Sequence, residues 1–203
     1  MNSEEIENGI IHIYENDSCL AKIIDTSKRC HLRLKRDYFN SLLKAIVQQQ
    51  LSIAAASSIY SKFSSFFKGK FVPERIIDTS DADLRNLGLS HAKVKYVKDL
   101  SNKIIDGQLR LKGISVKSDD EIIKDLTKVK GIGVWSSHMF LIFTLGRINV
   151  LPTGDLGIRR AAMNLYKLRS LPDEKKLRKL SIKNNWEPYN TIASWYLWRS
   201  LEL

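Results

Sequence analysis

The chain has 203 residues, 33 Lys and Arg against 22 Asp and Glu, a net charge of +11, 43% hydrophobic residues and two cysteines. That apolar fraction excludes whole-chain disorder, and two cysteines exclude a disulfide scaffold, a four-cysteine zinc site and a four-thiolate iron–sulfur cluster. The longest apolar runs, such as Met139–Phe143, fall far short of the ~18 residues of a membrane span, and the acidic start Met1-Asn-Ser-Glu-Glu has no basic n-region and no apolar h-region. The reading is one soluble domain of residues 1–203, at most two small lobes, without membrane association. Its expected place is the cytoplasm or nucleoid, or the nucleus in a eukaryote.

Helical spacing dominates the chain. Phe39, Leu42, Leu43, Ile46 and Val47 form one helix face, and Ile53–Phe67 forms a second helix with Ser52 as N-cap. Pro73 opens a short helix, and Asp81 or Asp83 opens another before Leu84 and Leu87. His91–Ile105 carries Val94, Val97, Leu100 and Ile104 at helical steps. Ser118 or Asp119 caps a helix running to Leu126. Trp135–Leu145 reads as a dense apolar helix, and Asp155 stands before Leu156–Leu168. Pro172-Asp173-Glu174 starts a basic helix, and Pro188 opens the last one. The fold class is all-α, with about ten helices. No helix is predicted before Asp37, where the first 27 residues are acidic on balance.

The positive charge lies beyond that acidic segment, at Lys93, Lys95, Lys98, Lys103, Lys112, Lys117, Lys124, Lys128, Lys130, Arg147, Arg159 and Arg160. Such a distribution suits a basic face that meets a polyanion, with nucleic acid the first candidate. An indifferent lysine-rich surface is the plainer alternative.

Leu126 and Val129 end one helix, Gly131 and Gly133 bracket Ile132, and a new helix starts near Val134. Two glycines permit positive φ and a tight reversal, and without Cβ atoms they let another backbone approach. Amides at the start of the next helix suit a phosphate, flanked by Lys128 and Lys130. An ordinary αα-hairpin is the structural alternative. Downstream, Asp155 sits where a loop becomes a helix, and capping is its commonest role there.

Taken together, these blocks resemble the helix-hairpin-helix DNA glycosylase superfamily, and within it the DNA-3-methyladenine glycosylase II branch. Ala45-Ile-Val-Gln-Gln-Gln-Leu-Ser-Ile-Ala-Ala-Ala56 is similar to that branch's QQxS loop, and Leu87-Gly-Leu-Ser90 with Lys93 and Lys95 to its next block. Val129-Lys-Gly-Ile-Gly-Val-Trp135 resembles the hairpin, within a motif spanning about residues 126–145. Val150-Leu-Pro-Thr-Gly-Asp-Leu-Gly157 resembles the catalytic block. Trp186-Glu-Pro-Tyr189 with Trp195 and Trp198 resembles the C-terminal signature. The blocks run in family order from about Asp37 to the C-terminus.

The resemblance implies a two-lobed helical glycosylase with the active-site cleft between the lobes. Asp155 is implied as the catalytic carboxylate, Trp135 and Tyr189 as lining of the base pocket, and Gln50 or Leu51 as the wedge. Lys128, Lys130, Gly131, Ile132 and Gly133 are implied contacts to the DNA backbone. Double-stranded DNA with damaged bases is the implied partner and the chain is expected to act as a monomer. No iron–sulfur cluster or other cofactor is implied, although the family's hairpin allows a monovalent cation. Bifunctional relatives carry a Schiff-base lysine where Trp135 stands, so no lyase step is expected. Asn190 replaces a basic residue after Trp186-Glu-Pro-Tyr189.

The chemistry suits these residues. An N-glycosidic bond breaks through an oxocarbenium-like state that one carboxylate stabilises. An alkylated purine carries positive charge, leaves readily, and stacks on Trp and Tyr faces by a cation–π effect of ~0.5–2 kcal/mol. Trp195 and Trp198 are read as core, and His12, His31, His91 and His138 show no metal-ligand spacing. Two alternatives stand beside alkylbase excision: a non-catalytic DNA-binding module, and a glycosylase for deaminated or mismatched bases.

Overall fold

The hydrophobic spacing becomes helix nearly throughout in the computed structural model of the protein, which describes residues 2–32 and 37–203. The α-helices are α1 (Ser3–Asn16), α2 (Ser18–Thr26), α3 (Tyr38–Gln48), α4 (Ile53–Phe66), α5 (Pro73–Asp78), α6 (Asp81–Asn86), α7 (His91–Ile105), α8 (Asp119–Leu126), α9 (Val134–Phe140), α10 (Leu156–Leu165), α11 (Glu174–Lys183) and α12 (Asn190–Arg199). A 3₁₀ turn covers Ile114–Val116 and a π-helical turn Leu141–Leu145, and no strand occurs among the described residues.

Local chemistry sets the boundaries. Ser52, Ser90 and Ser118 accept from the third backbone amide of the helix that each one opens, and Glu121 completes a capping box at Ser118. Each such cap stabilises its helix by ~0.5–2 kcal/mol. Ser80, not Asp81 or Asp83, caps α6. The apolar helix from Val134 changes to π at Leu141, α10 stops at Leu165, and α12 begins at Asn190, after Pro188 and Tyr189.

The two N-terminal helices are the elements that sequence spacing did not predict. Their signals are local: Asn2 and Glu5 form a capping box on α1, and Asp17 caps α2. Gly9 lowers the helical propensity of α1, and packing explains its place. A Cβ there would lie 2.8 Å from both Ile192 and Tyr189 side-chain atoms.

The chain divides into two compact units, one built from residues 1–34 and 141–203 and the other from residues 35–140. In the first, α12 packs on α1, α2 and α10. Its buried Ile192, Ala193, Tyr196 and Leu197 join Ile13, Leu20, Ile158 and Trp186 in one core. Asp17 is buried in that core. Its carboxylate accepts from the Cys19 and Leu20 amides, from Tyr166 OH at 2.5 Å and from Trp186 Nε1 at 2.7 Å. Four donors on one carboxylate satisfy its charge without a cation.

In the second unit α7 packs on α3, α5 and α6. The α3 face predicted from spacing, Phe39 to Val47, is buried with Val94, Val97 and Leu100 of α7. A ring cluster of Phe63, Phe67 and Phe71 fills the space beside α4.

Candidate nucleic-acid interface and carboxylate site

In the second unit, the turn between α8 and α9 is a tight reversal with one strained requirement. Gly131 has φ +83°, and a Cβ on it would lie 2.3 Å from Tyr96 Cδ2. Only glycine fits there. Gly133 differs from the expectation: its φ is not positive, and a Cβ on it would meet nothing within 4 Å. Its bareness leaves room for an approaching molecule rather than for the fold. The Ile132 side chain is 4% exposed and its amide donates to Val129 O. It anchors the turn from inside.

The flanking lysines come with partners. Asp125 accepts from Lys117 Nζ at 2.6 Å and Lys128 Nζ at 2.7 Å, and these two bonds, Lys117 first, hold its carboxyl below the usual Asp range. Asp99 accepts from the Lys130 amide at 2.9 Å and lies 4.0 Å from Lys130 Nζ. Lys128 therefore faces a carboxylate as well as solvent. A monovalent cation at this turn would have backbone carbonyls for ligands. Those of Gly131 and Gly133 already accept, from Gln49 Nε2 and from the Ser137 amide and hydroxyl.

The loop after α3 is tied to this turn by a bond that sequence reasoning missed. Gln49 Nε2 donates to Gly131 O at 2.8 Å, and Lys93 Nζ donates to Val47 O in the last turn of α3, also at 2.8 Å. The ammonium is well placed at the negative end of a helix, while burial pushes its pKa down. Immediately after these two ties Gln50 takes φ +53° and is exposed, and Leu51 is 36% exposed. The loop and turn border one cavity of about 710 Å³, whose lining includes Gln50, Leu51, Lys93, Tyr96 and Trp135. Trp135 is 48% exposed, so the structure sets it on that cavity and not in the core.

Asp155 and Tyr189 belong to the first unit. Asp155 is buried at 8% exposure and caps α10. Its Oδ1 accepts from the Ile158 amide at 2.8 Å and from Trp198 Nε1 at 3.0 Å. The helix N-terminus favours its charge, and the two donors fix its orientation. Gly157 makes room for this arrangement: a Cβ there would lie 3.0 Å from Asp155 Oδ1 and 3.3 Å from Trp198 Cδ1. Trp198, read as core from sequence, is thus the partner of the carboxylate. The aromatic cluster at 195–198 was the available signal. Tyr189 packs its ring on Gly9 and on His12, with a centroid distance of 5.1 Å to the latter.

The irregular segment leading to Asp155 is braced by α12. Thr191 Oγ1 donates to Arg147 O, its amide donates to Ile148 O, and its Oγ1 accepts from the Val150 amide. Asn190 is buried, accepts from Ser181 Oγ and donates to Asn149 Oδ1. Asn190, which stands where the resemblance implies a basic residue, is therefore a link in the brace. Thr153 Oγ1 donates to Glu174 Oε2 at 2.9 Å, fixing the same loop to α11.

Among the described residues, no group of three or more His, Cys, Asp or Glu side chains is placed to hold a metal ion, and no helix is long and apolar enough to cross a membrane.

The family described as HhH-GPD superfamily base excision DNA repair protein matches residues 43–188. DNA-3-methyladenine glycosylase 1 of Schizosaccharomyces pombe is 33% identical, over 93% of this chain and 83% of that protein. The solved structure of the fission-yeast 3-methyladenine DNA glycosylase Mag1 in complex with abasic DNA superposes with a TM-score of 0.83, at 32% identity, covering 97% of each chain. A DNA-3-methyladenine glycosidase from Bacillus halodurans superposes at 0.80 with 36% identity, covering 95% of this chain and 88% of that one.

Proposed function

Because this chain belongs to the HhH-GPD superfamily of base excision DNA repair proteins, we propose that it is a monofunctional DNA glycosylase, which hydrolyses the N-glycosidic bond of flipped, alkylated purines in duplex DNA. The observation that carries the reading is the Asp155 carboxylate. It is buried, oriented by Trp198 Nε1 and Ile158 N, and set at a helix N-terminus in a basic chain. A protein that only binds DNA needs no more than a neutral cap such as Asn or Ser here, since carboxylate and phosphate repel.

The bond between C1′ and the base nitrogen breaks, and its electron pair goes to the base. A base alkylated at N3 or N7 is already cationic and leaves as a neutral molecule. Positive charge develops on the sugar, where Asp155 stabilises it, and water adds to C1′ with loss of a proton. Trp135, exposed on its cavity, offers a face to an electron-poor base. Gly131 and Gly133 present the turn to a phosphate, and exposed Gln50 and Leu51 supply the side chains that fill the vacated stack. Trp135 stands at the position of the Schiff-base lysine, so the abasic product keeps an intact strand.

The test is a base-release assay on duplexes carrying different lesions, analysed for free base and for strand scission. The expected result is release of alkylated purines without scission. Release of deaminated or mismatched bases alone would move the substrate class, and duplex binding without release of any base would leave a binding module.

A further inference from the structure

Residues 167–183 hold seven Lys and Arg against two carboxylates, a local excess of five in a chain whose net charge is +11. Neither carboxylate neutralises the cations: Asp173 caps α11 and Glu174 accepts from Thr153. The segment forms a groove of about 390 Å³ with cations on both walls. Arg169 stands on one side and Lys176, Lys179 and Lys183 on the other, over Leu168 and Leu180. These four cations are exposed and take part in none of the ion pairs found among the described residues. The lysines around the hairpin are the reverse case, since Lys103, Lys117, Lys128 and Lys130 each face Asp99 or Asp125.

The α11 lysines are also placed against their own helix. Lys175 and Lys176 stand in its first turn, where the macrodipole disfavours a cation. Lys176, Lys179 and Lys183 share one face and span about 10 Å of rise. A concave row of cations with no carboxylate in its lining concentrates positive potential.

We propose that this groove is a second DNA-binding surface, which takes the phosphodiester backbone of undamaged duplex independently of sequence. The proposal rests on the reading of DNA as the substrate polymer. An acidic peptide is the weaker fit, because protein interfaces are depleted in Lys and enriched in aromatic residues and Arg. Three of the four cations here are lysines, and no aromatic residue lines the groove.

The experiment is a salt titration of binding to an undamaged duplex by the wild type and by the triple variant Lys176→Gln, Lys179→Gln, Lys183→Gln. If all three lysines meet phosphates, the log–log salt slope falls in magnitude by about 2.7, at roughly 0.9 for each phosphate no longer neutralised. The Arg169→Gln variant removes about 0.9 more from the other wall. Single-turnover base release at saturating enzyme stays at the wild-type rate. A single charge reversal, Lys179→Glu, gives the same direction should the triple variant not fold. An unchanged salt slope in both variants would overturn the proposal. So would an unchanged slope in variants that no longer bind poly-glutamate, which would assign the groove to an acidic protein. A wild type that releases no base from any lesion would sink the glycosylase reading while the titration still decides the groove.

Discussion

Trp198 Nε1 and the Ile158 amide converge on one oxygen of Asp155, at 3.0 and 2.8 Å. The helix cap and the proposed catalytic carboxylate are therefore the same group, and substitution must separate two roles. Asp155→Asn keeps an acceptor for both donors and a good N-cap, so its stability should stay within ~0.5 kcal/mol of the wild type. Base release should fall by about 10²-fold or more, the reduction expected when one group that stabilises transition-state charge is removed. Single-turnover excision and thermal unfolding on the same preparation decide it. Retained excision would reduce Asp155 to a cap. Trp198→Phe keeps the ring and loses the donor, and should lower the excision rate with little change in duplex affinity.

The two hairpin glycines should respond oppositely. Gly131→Ala forces a left-handed φ on alanine and drives a methyl into Tyr96, for a combined cost of ~2–4 kcal/mol. Gly133→Ala meets nothing in the protein and should leave stability nearly unchanged. It should nonetheless weaken duplex binding, because the methyl would stand where the proposed reading brings a phosphate. Chemical denaturation and DNA titration of both variants check this, and equal behaviour of the two would refute the division.

Asp125 should couple acid stability to DNA affinity. Hydrogen bonds from Lys117 and Lys128 lower its pKa in the folded state. Its contribution is therefore complete above the unfolded value of ~3.9 and is lost as pH falls through the lower folded value. As a surface pair it amounts to at most ~1 kcal/mol. In Asp125→Asn that acid-dependent part is missing, so wild-type and variant Tm values converge as pH falls below about 4. The variant should bind duplex up to about fivefold more tightly, because its lysines no longer share a carboxylate. Unchanged affinity would take Lys117 and Lys128 out of the interface.

Gln50 carries the wedge prediction. Gln50→Ala should slow excision of paired lesions more than excision from mispaired sites, where less unstacking is needed. Gln49→Ala should show the same selectivity more weakly, since it frees the loop from Gly131 without removing the filler. Single-turnover rates on both substrates test this, and equal slowing on both would move the plug elsewhere.

Most helices from Asp37 onward were legible because α3, α4, α6, α7, α8, α10 and α11 each open on a serine or aspartate cap, while α5 opens on Pro73 and α12 begins just after Pro188. Asp155 and the hairpin were legible as linear motifs. What escaped the sequence was tertiary. The place of Gly9 in α1 is explained only by Tyr189 and Ile192 packed against it. Trp198 reads as core because its hydrogen-bond partner lies 43 residues away. Gln49 reads as one glutamine among three until its amide meets Gly131, 82 residues on. Gly131 and Gly133 look equivalent in sequence, and the left-handed φ of Gly131 and the ring of Tyr96 against it distinguish them.

Asp17 has a consequence for the order of assembly during synthesis. Its side-chain partners Tyr166 and Trp186 lie 149 and 169 residues downstream, whereas residues 35–140 make a compact unit from one continuous stretch. On a ribosome that stretch emerges whole while the first two helices still lack the residues they pack on, and long-range closure is the slow step. The contacts within the hairpin unit therefore need no residue made later, whereas the Asp155 carboxylate takes its final setting only after Trp198 has been made. A nascent chain would thus hold its complete hairpin turn before it holds the residue that completes the setting of Asp155.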